Sequence, residues 1–371
     1  MSVVISGTGL YTPEQSISNK ELVESYNQYV DSFNERYKKD ISEGRIEALT
    51  HSSEDFIKKV SGIENRYVLD KKGILDPERM IPLLQERSND ETSIQAEMAV
   101  SACLQALENA NKKIEDVDAV ICACANLQRA YPAVAIEIQN ILGIKGYAYD
   151  MNVACSSSTF GIQNAVSDIN AGLAKSVLVV SPEICSGHLN FRDRDGHFIF
   201  GDVCTAVVVE KEDKSNAYGF RVIDTKLKTV FSNNIRNNFG FLNQAENSDF
   251  NSPDKLFIQE GRKVFKQVVP IVSSLIQDQL KENDLSIDSI SRLWLHQANL
   301  NMNQLIVKKL LGRSPKEKEM PIVLNEYANT SSAGSIIAFH KYNKDLNKKD
   351  LGVICSFGAG YSIGSIIVEK M

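Results

Sequence analysis

Three residues in this chain have the types that could together do covalent chemistry: Cys155, His296 and Asn329. Cys155 follows a short extended stretch, Tyr147 to Val153. It precedes three serines that open a run with apolar residues at Phe160, Ile162, Val166, Ile169 and Leu173, a helical period. The cysteine therefore sits where a strand turns into a helix. Unpaired N–H groups and the positive end of the helix dipole can bring a thiol pKa from about 8.5 into a range of roughly 3.5–7.5, which predicts a thiolate at neutral pH. Without such activation a free cysteine is a small buried hydrophobe. His296 alone reads as a hydrogen-bonded core histidine and Asn329 alone as a helix N-cap. Together with Cys155 they make a nucleophile, its proton partner and an amide donor.

An internal repeat is what would bring them together. Strand Ala119–Ala123 leads into Cys124-Ala-Asn-Leu-Gln128, a helix ending Ile-Leu-Gly143, a strand, Cys155-Ser-Ser-Ser158, a helix and the strand Ser176–Ser181. Downstream, strand Leu293–Leu295 leads into Gln297-Ala-Asn-Leu-Asn301, a helix ending Leu-Leu-Gly312, strand Ile322–Leu324, Asn329-Thr-Ser-Ser332, a helix and strand Gly352–Ser356. The offsets agree: 173 residues between the Ala-Asn-Leu triplets, 169 between the Leu-Gly pairs and 174 between Cys155 and Asn329. The closing segments Val203–Glu210 and Ile363–Glu369 match as well. Strands joined through helices predict parallel pairing with right-handed crossovers. The chain thus reads as two similar α/β halves, 1–211 and 212–371, joined near Glu212–Ala217. Equivalent helix N-termini would face each other across a pseudo-twofold axis, with Cys155 and Asn329 at one interface. The counterpart of His296 is Ala123, so duplication does not explain the histidine.

Composition excludes several classes. A length of 371 residues, 43% hydrophobic and 24% charged, suits a soluble globular protein, and no apolar run approaches a membrane span. The opening Met-Ser-Val-Val-Ile-Ser-Gly-Thr-Gly has no basic leader and reads as a first strand, so the expected location is the cytoplasm. Seven cysteines without paired zinc spacing predict free thiols, and a net charge of −6 argues against a nucleic-acid partner. The Gly7-Thr-Gly9 motif is a poor dinucleotide fingerprint, because the third glycine falls at Thr12 and Pro13 breaks the helix that should follow. Cys185, His188, His197 and Cys204 have zinc-ligand types but not the spacing of a closed finger. Cys122 and Cys124 alternate along a strand and read as packing. Asn19 reads as the N-cap of a helix with Leu22, Tyr26, Val30, Phe33 and Tyr37 on one face, and about 30–90 as a surface insertion.

On these motifs the chain resembles the β-ketoacyl-acyl-carrier-protein synthase III family of the thiolase superfamily. The resemblance rests on Cys155 in Asn-Val-Ala-Cys-Ser, His296 in Leu-His-Gln-Ala-Asn-Leu and Asn329 in Tyr-Ala-Asn-Thr-Ser. Phe200-Gly-Asp202, Gln139 to Gly146, Ala130-Tyr-Pro132 and Phe357-Gly-Ala-Gly-Tyr-Ser add to it, so that it covers about residues 1–22, 55–66 and 92–371. It implies the five-layered α/β/α/β/α thiolase fold, an obligate homodimer and a decarboxylative Claisen condensation. Cys155 would take an acyl primer from a thioester on coenzyme A or a carrier protein; malonyl-acyl-carrier protein would then lose carbon dioxide and attack it. The resemblance assigns the oxyanion hole to the N–H groups of Cys155 and Ala359 and the enolate donors to His296 and Asn329. It sets Phe56 and Phe200 among the substrate-binding positions and has Tyr131 reach across the dimer. No metal or redox cofactor is implied.

Departures are local. The tryptophan and arginine that hold the coenzyme A adenine in the family are matched by Phe56 and Val60, so the cation is missing there. Asn301 stands where an arginine commonly helps dock the carrier. These changes leave a specialised lipid or polyketide pathway open beside fatty acid synthesis. Candidates for the basic carrier-protein docking face are Arg262, Lys263, Lys266, Lys308 and Lys309. Two rivals share the fold. A hydroxymethylglutaryl-CoA synthase needs a catalytic glutamate for which no motif matches, and non-catalytic ketosynthase partners lack the cysteine.

Overall fold

The computed structural model describes residues 2–213, 218–247, 249 and 252–371; the junction near Glu212–Ala217 falls largely outside the described residues. The first half runs β1 (Val3–Tyr11), β2 (Gln15–Ser18), α1 (Asn19–Arg36), α2 (Lys38–Ser42), α3 (Glu54–Ser61), β3 (Asn65–Val68), α4 (Lys71–Leu75), α5 (Ile94–Asn109), β4 (Ala119–Ala123), α6 (Val134–Leu142), β5 (Tyr147–Met151), α7 (Ser157–Asn170), β6 (Ser176–Ile184) and β7 (Asp202–Lys211). The second runs β8 (Phe220–Ser232), β9 (Ile235–Arg236), β10 (Ile258–Gln259), α8 (Gly261–Glu282), β11 (Ile290–Leu295), α9 (Leu300–Leu311), α10 (Leu324–Tyr327), α11 (Gly334–Lys341), β12 (Leu351–Gly358) and β13 (Gly360–Lys370).

Among the described residues nine strands form one sheet, in the order β11-β12-β13-β8-β1-β7-β6-β4-β5. Read outward from the β1–β8 junction, the halves repeat: β1, β7, β6, β4 on one side and β8, β13, β12, β11 on the other. The expected parallel crossovers hold at β4–β6, β4–β5 and β11–β12, whereas β7 and β13 return antiparallel to their neighbours. The first half carries β5 as an extra edge strand. Its counterpart, expected as a strand at Ile322–Leu324, is instead the approach to α10. The Gln297 side-chain oxygen accepts the N–H groups of Val323 and Leu324 at 3.0 and 3.2 Å, which satisfies donors that a strand neighbour would otherwise take.

Only Val3, Val4 and Ile5 of β1 pair with β8, and the two half-sheets enclose α7 and α11. Ile162, Ala165 and Ile169 of α7 and Ile336, Ile337 and Phe339 of α11 share one apolar core with Ile121 and Val179 from one sheet half and Trp294 and Ile354 from the other. α5 and α6 cover the outer face of the first half, and α8 and α9 that of the second. The result is five layers, α/β/α/β/α. Each buried Ile, Leu, Val or Phe contributes roughly 1.5–3 kcal/mol, so the central helices are held by burial against both halves at once.

Two local expectations change. The cap of α1 is Ser18 rather than Asn19: its hydroxyl accepts the Glu21 N–H while the Glu21 carboxylate accepts the Ser18 N–H at 2.9 Å, a capping box. Asn19 turns inward, donating to the Ile63 carbonyl at 2.7 Å and accepting from Arg66 at 2.6 Å. The segment about 30–90, expected as surface elaboration, supplies core as well. Ile57, Ile63, Val68, Ile74 and Met80 pack with Phe198, Ile199, Phe200 and Leu324 in an apolar cluster.

The Gly7-Thr-Gly9 motif is explained by packing. A Cβ on Gly9 would lie 2.0 Å from the Ala102 carbonyl oxygen and one on Gly7 2.2 Å from that of Ala106, so the glycines let α5 lie directly on β1. Gly9→Ala is expected to lower the unfolding free energy by roughly 1–3 kcal/mol or more, because the clash is with helix backbone. A urea titration checks this; an unchanged midpoint would mean that α5 can shift freely.

Candidate active site

The turn that carries Cys155 is held by its own side chains. A 3-10 turn, Ala154–Ser156, separates β5 from α7. The Asn152 side chain accepts the Ala154 N–H at 2.8 Å, and the Ser157 hydroxyl accepts that of Val153 at 2.9 Å. Ala154 has φ +48° and Ala328, the residue before Asn329, φ +57°. Side-chain-bearing residues adopt that region only where neighbours enforce it, at roughly 1–3 kcal/mol each. The repeat thus extends to the backbone, with one strained elbow per half. The two helix entries meet as expected: the Ser158 hydroxyl donates to the Ser332 carbonyl, its equivalent position, and that of Ser156 to the Ser362 carbonyl at 2.8 Å.

Cys155, His296 and Asn329 line a single cavity of about 1060 Å³. Its other walls come from α3 (Phe56, Val60), the stretch before β7 (Leu189, Phe198, Ile199), α8 (Arg262, Val264, Phe265, Lys266, Val268) and the end of β12 (Phe357, Gly358). Gly358 has to be glycine, since a Cβ there would lie 2.5 Å from the Cys155 Cβ. The N–H groups of Ala359 and Cys155 are within hydrogen-bonding reach of the Cys155 sulfur, where an oxyanion hole requires two donors.

Burial sets the electrostatics. It pushes the Cys155 thiol up to about 11, Glu183 adds to the rise, and the Ser331 hydroxyl with the two N–H groups offsets only part of it. The thiolate expected from the helix N-terminus is therefore not the resting form, because desolvation outweighs the donors. Burial likewise holds His296 down at about 4, so the imidazole is neutral at pH 7. Its Nδ1 is buried without a partner. An orphaned acceptor is tolerated better than an orphaned N–H, which favours the tautomer with the proton on Nε2, the nitrogen left to face the cavity. The Asn329 side-chain oxygen accepts the Ser331 N–H at 2.9 Å, leaving the Nδ2 as its donor.

The other expected residues divide. Phe56 lines the cavity, and the cation missing from position 60 is supplied from elsewhere: the Arg194 guanidinium lies 4.2 Å from the centre of the Phe56 ring. Phe200 stands behind the wall, packed on Phe257 with ring centres 4.7 Å apart and on His188, and its backbone bridges to Asn329. Tyr131 is 86% exposed and outside this chain's cavity. Of the basic residues, Arg262 and Lys266 line the cavity and Lys263 pairs with Glu260. Lys308 and Lys309 are exposed in the last turn of α9, away from the cavity lining. Sequence reasoning missed Arg194, Ser331 and Glu183. The last is the one charged residue in the strand Ser176–Ile184, which was the available signal.

The chain is similar to known proteins over most of its length. A family model described as 3-oxoacyl-[acyl-carrier-protein] synthase III matches residues 149–230, and the model of its C-terminal part matches residues 280–370. A β-ketodecanoyl-[acyl-carrier-protein] synthase of Pseudomonas aeruginosa is 58% identical over 349 residues, covering 94% of this chain and 100% of that protein. A β-ketoacyl-[acyl-carrier-protein] synthase III of Brucella anthropi is 28% identical over 87% of this chain and 93% of its own. The crystal structure of a 3-oxoacyl-[acyl-carrier-protein] synthase III from Aquifex aeolicus superposes with a TM-score of 0.77 at 25% identity, covering 99% of each chain.

The buried histidines make stability depend on pH. His188 and His296 are held at about 4 and His197 at about 3, whereas the unfolded chain binds these protons near 6.5. Their contribution is complete above pH 6.5 and is lost as pH falls towards 4. Glu183, raised to about 7, acts in the opposite sense between pH 7 and 4.5. The three histidines prevail, so the unfolding free energy should fall from pH 7 to pH 4. His296→Asn should remove about 3 kcal/mol of that fall, at 1.36 kcal/mol per pKa unit. Urea titrations of both proteins across this range check it; parallel curves would mean that His296 titrates normally.

Proposed function

Because the chain belongs to the 3-oxoacyl-[acyl-carrier-protein] synthase III family, we propose that it condenses an acyl primer of octanoyl length with malonyl-acyl-carrier protein. The product is a β-ketoacyl-acyl-carrier protein. The observation that carries this reading is the convergence of Cys155, His296 and Asn329, two of them from the second half, on one cavity.

Each role is the one that the family resemblance implies, and the shared cavity supports it. The Cys155 sulfur adds to the primer thioester carbonyl, and the oxyanion faces the N–H groups of Cys155 and Ala359. The leaving thiol departs, and malonyl-carrier protein enters. Loss of carbon dioxide places negative charge on the malonyl thioester oxygen, which His296 Nε2 and Asn329 Nδ2 stabilise as donors. One such donor is worth about 2.7–4 kcal/mol. A neutral imidazole suits this task, since it donates without adding a charge to a dry site. The thioester and the departing carbon dioxide drive the reaction, so it calls for no metal or redox group.

Primer length is argued from the Pseudomonas aeruginosa relative, which is named for a β-ketodecanoyl product. One condensation with malonate adds two carbons, so an octanoyl primer leads to that product. Phe56 in the cavity wall, with the Arg194 guanidinium stacked on its ring, offers a flat cationic pair for a purine, which favours coenzyme A as the primer's carrier. Arg262 and Lys266 offer positive charge to an acidic carrier protein. The open edge of β5, with the exposed Tyr131 on the loop before α6, supports a homodimer in which the strand pairs with its symmetry mate and Tyr131 reaches the partner. No helix among the described residues is long and apolar enough to cross a membrane.

The test is turnover with a series of acyl-CoA primers and malonyl-carrier protein. Octanoyl-CoA should give the highest kcat/KM, and a maximum at acetyl-CoA would refute the primer assignment. His296→Ala and Asn329→Ala should each still accept an acyl group on Cys155 and lose decarboxylation by about 10²–10³-fold. Normal decarboxylation in both variants would sink the division of labour.

A further inference from the structure

We propose that α1 and the stretch Leu49–Ser52 form a clamp that sets the affinity for the nucleotide end of a coenzyme A primer, by holding the loop Asn190–His197 so that Arg194 stays on Phe56. The clamp rests on the reading of Phe56 with Arg194 as a purine site. Its members are positioning residues, since Tyr26, Asn27, Tyr29, Asn34 and His51 lie outside the cavity lining.

The need for it comes from the loop itself. Asn190, Asp193, Asp195 and Gly196 line the cavity, and between them Arg194 places its guanidinium 4.2 Å from the centre of the Phe56 ring. The loop runs as turns, with neither helix nor strand to fix it. A long side chain on such a loop samples many rotamers, and ordering it when a ligand arrives weakens binding. Arg194 is ordered beforehand by a neighbour distant in sequence: its Nε donates to the His51 carbonyl at 2.8 Å. The Asp195 carboxylate reaches the same guanidinium only at 3.5 Å, so the carbonyl is the better anchor.

The His51 carbonyl is fixed in turn by α1. Residues 47–53 have no helix or strand of their own, and two asparagines take the place of a strand neighbour. Asn27 donates to the Ser52 carbonyl at 3.2 Å and accepts the Ser52 N–H at 2.9 Å. Asn34, seven residues or about two turns further along the same face of α1, donates to the Leu49 carbonyl at 3.0 Å and accepts the Leu49 N–H at 2.9 Å. Between them the His51 ring is hydrogen-bonded to Asp31 at 2.8 Å.

The same helix grips the loop on both sides of Arg194. Before it, the Arg192 guanidinium lies 5.3 Å from the centre of the Tyr29 ring and donates to the Glu78 carbonyl at 2.6 Å. After it, the His197 ring stacks on that of Tyr26 with centres 4.6 Å apart, and its Nδ1 donates to the Arg194 carbonyl at 2.9 Å. Residues 23–54 fall outside the stretches that carry the family resemblance and outside both family models, so this grip is an addition to the shared fold. None of these contacts involves Cys155, His296 or Asn329, and the clamp therefore acts on binding of the nucleotide end rather than on the chemical step.

Calorimetric titration with coenzyme A and with pantetheine, which lacks the nucleotide, reads the clamp without turnover. Asn27→Ala combined with Asn34→Ala should weaken coenzyme A binding about 10-fold, the scale of ordering one long side chain on binding, and leave pantetheine binding as it was. The KM for octanoyl-CoA should rise by the same factor at unchanged kcat. Arg194→Ala should weaken coenzyme A binding at least as much, and adding the two asparagine substitutions to it should cause no further loss, because the clamp acts through Arg194. Additive losses, or equal losses with pantetheine, would mean that the asparagines support the fold at large, and would overturn the clamp. Should the double variant not fold, Asn34→Ala alone, at a half-buried position, gives the same comparison with a loss of about 3-fold. Wild-type protein that binds coenzyme A no more tightly than pantetheine refutes the purine site and the clamp with it. Tighter binding that Arg194→Ala removes and the asparagine variants keep refutes the clamp alone.

Discussion

Two helix entries, one from each half of the chain, are pressed together at the centre of the molecule, and the rest of the site depends on that contact. The Ser158 hydroxyl donates to the Ser332 carbonyl, and Gly358 passes so close to Cys155 that no Cβ fits between them. Glu183 ties the loop at Ala125 in the first half to Ser332 in the second. Around these polar contacts lies the apolar core shared by α7 and α11. Cys155 comes from the first half, whereas His296, Asn329, Ser331 and Ala359 come from the second, so neither half has a complete site. Duplication explains the fold, and divergence between the copies explains the chemistry: where one elbow carries a thiol the other carries an amide.

Placing the site at this interface surrounds its ionisable groups with protein, and desolvation governs their charges. The thiol rises, the imidazole falls and the Glu183 carboxyl is raised to about 7. At pH 7 the cluster carries little fixed charge, which limits the desolvation penalty of the interface. Charge that develops during reaction is then met by oriented neutral donors. Such donors act more strongly in low dielectric and need no rearrangement when the charge appears.

The offsets between copies made Cys155 and Asn329 legible as partners, and the observed strand order repeats as they required. Other features depended on contacts that local pattern does not carry. Ile322-Val323-Leu324 looks like a strand by composition, yet Gln297 takes its backbone donors and α10 follows. Ser18 and Asn19 are both good caps; Glu21, three residues after Ser18, was the deciding signal. The thiolate expectation failed because a helix N-terminus was weighed without the burial that opposes it. Arg194 was hidden because its ring partner, Phe56, is far away in sequence. Glu183 was visible as the one charged residue of its strand, but only the fold shows that Ser332 comes to it.

The central claim is that an acyl group carried by Cys155 is handed to a carbanion generated in the same cavity. Its most direct measurement is a single-turnover chase: the octanoyl-enzyme is isolated, its adduct is located by peptide mass, and malonyl-carrier protein is added. The account predicts that the octanoyl group sits on Cys155 and leaves it one for one with the carbon dioxide released, as β-ketodecanoyl-carrier protein appears. An adduct on another residue, or one that persists while malonyl-carrier protein is decarboxylated, would contradict it.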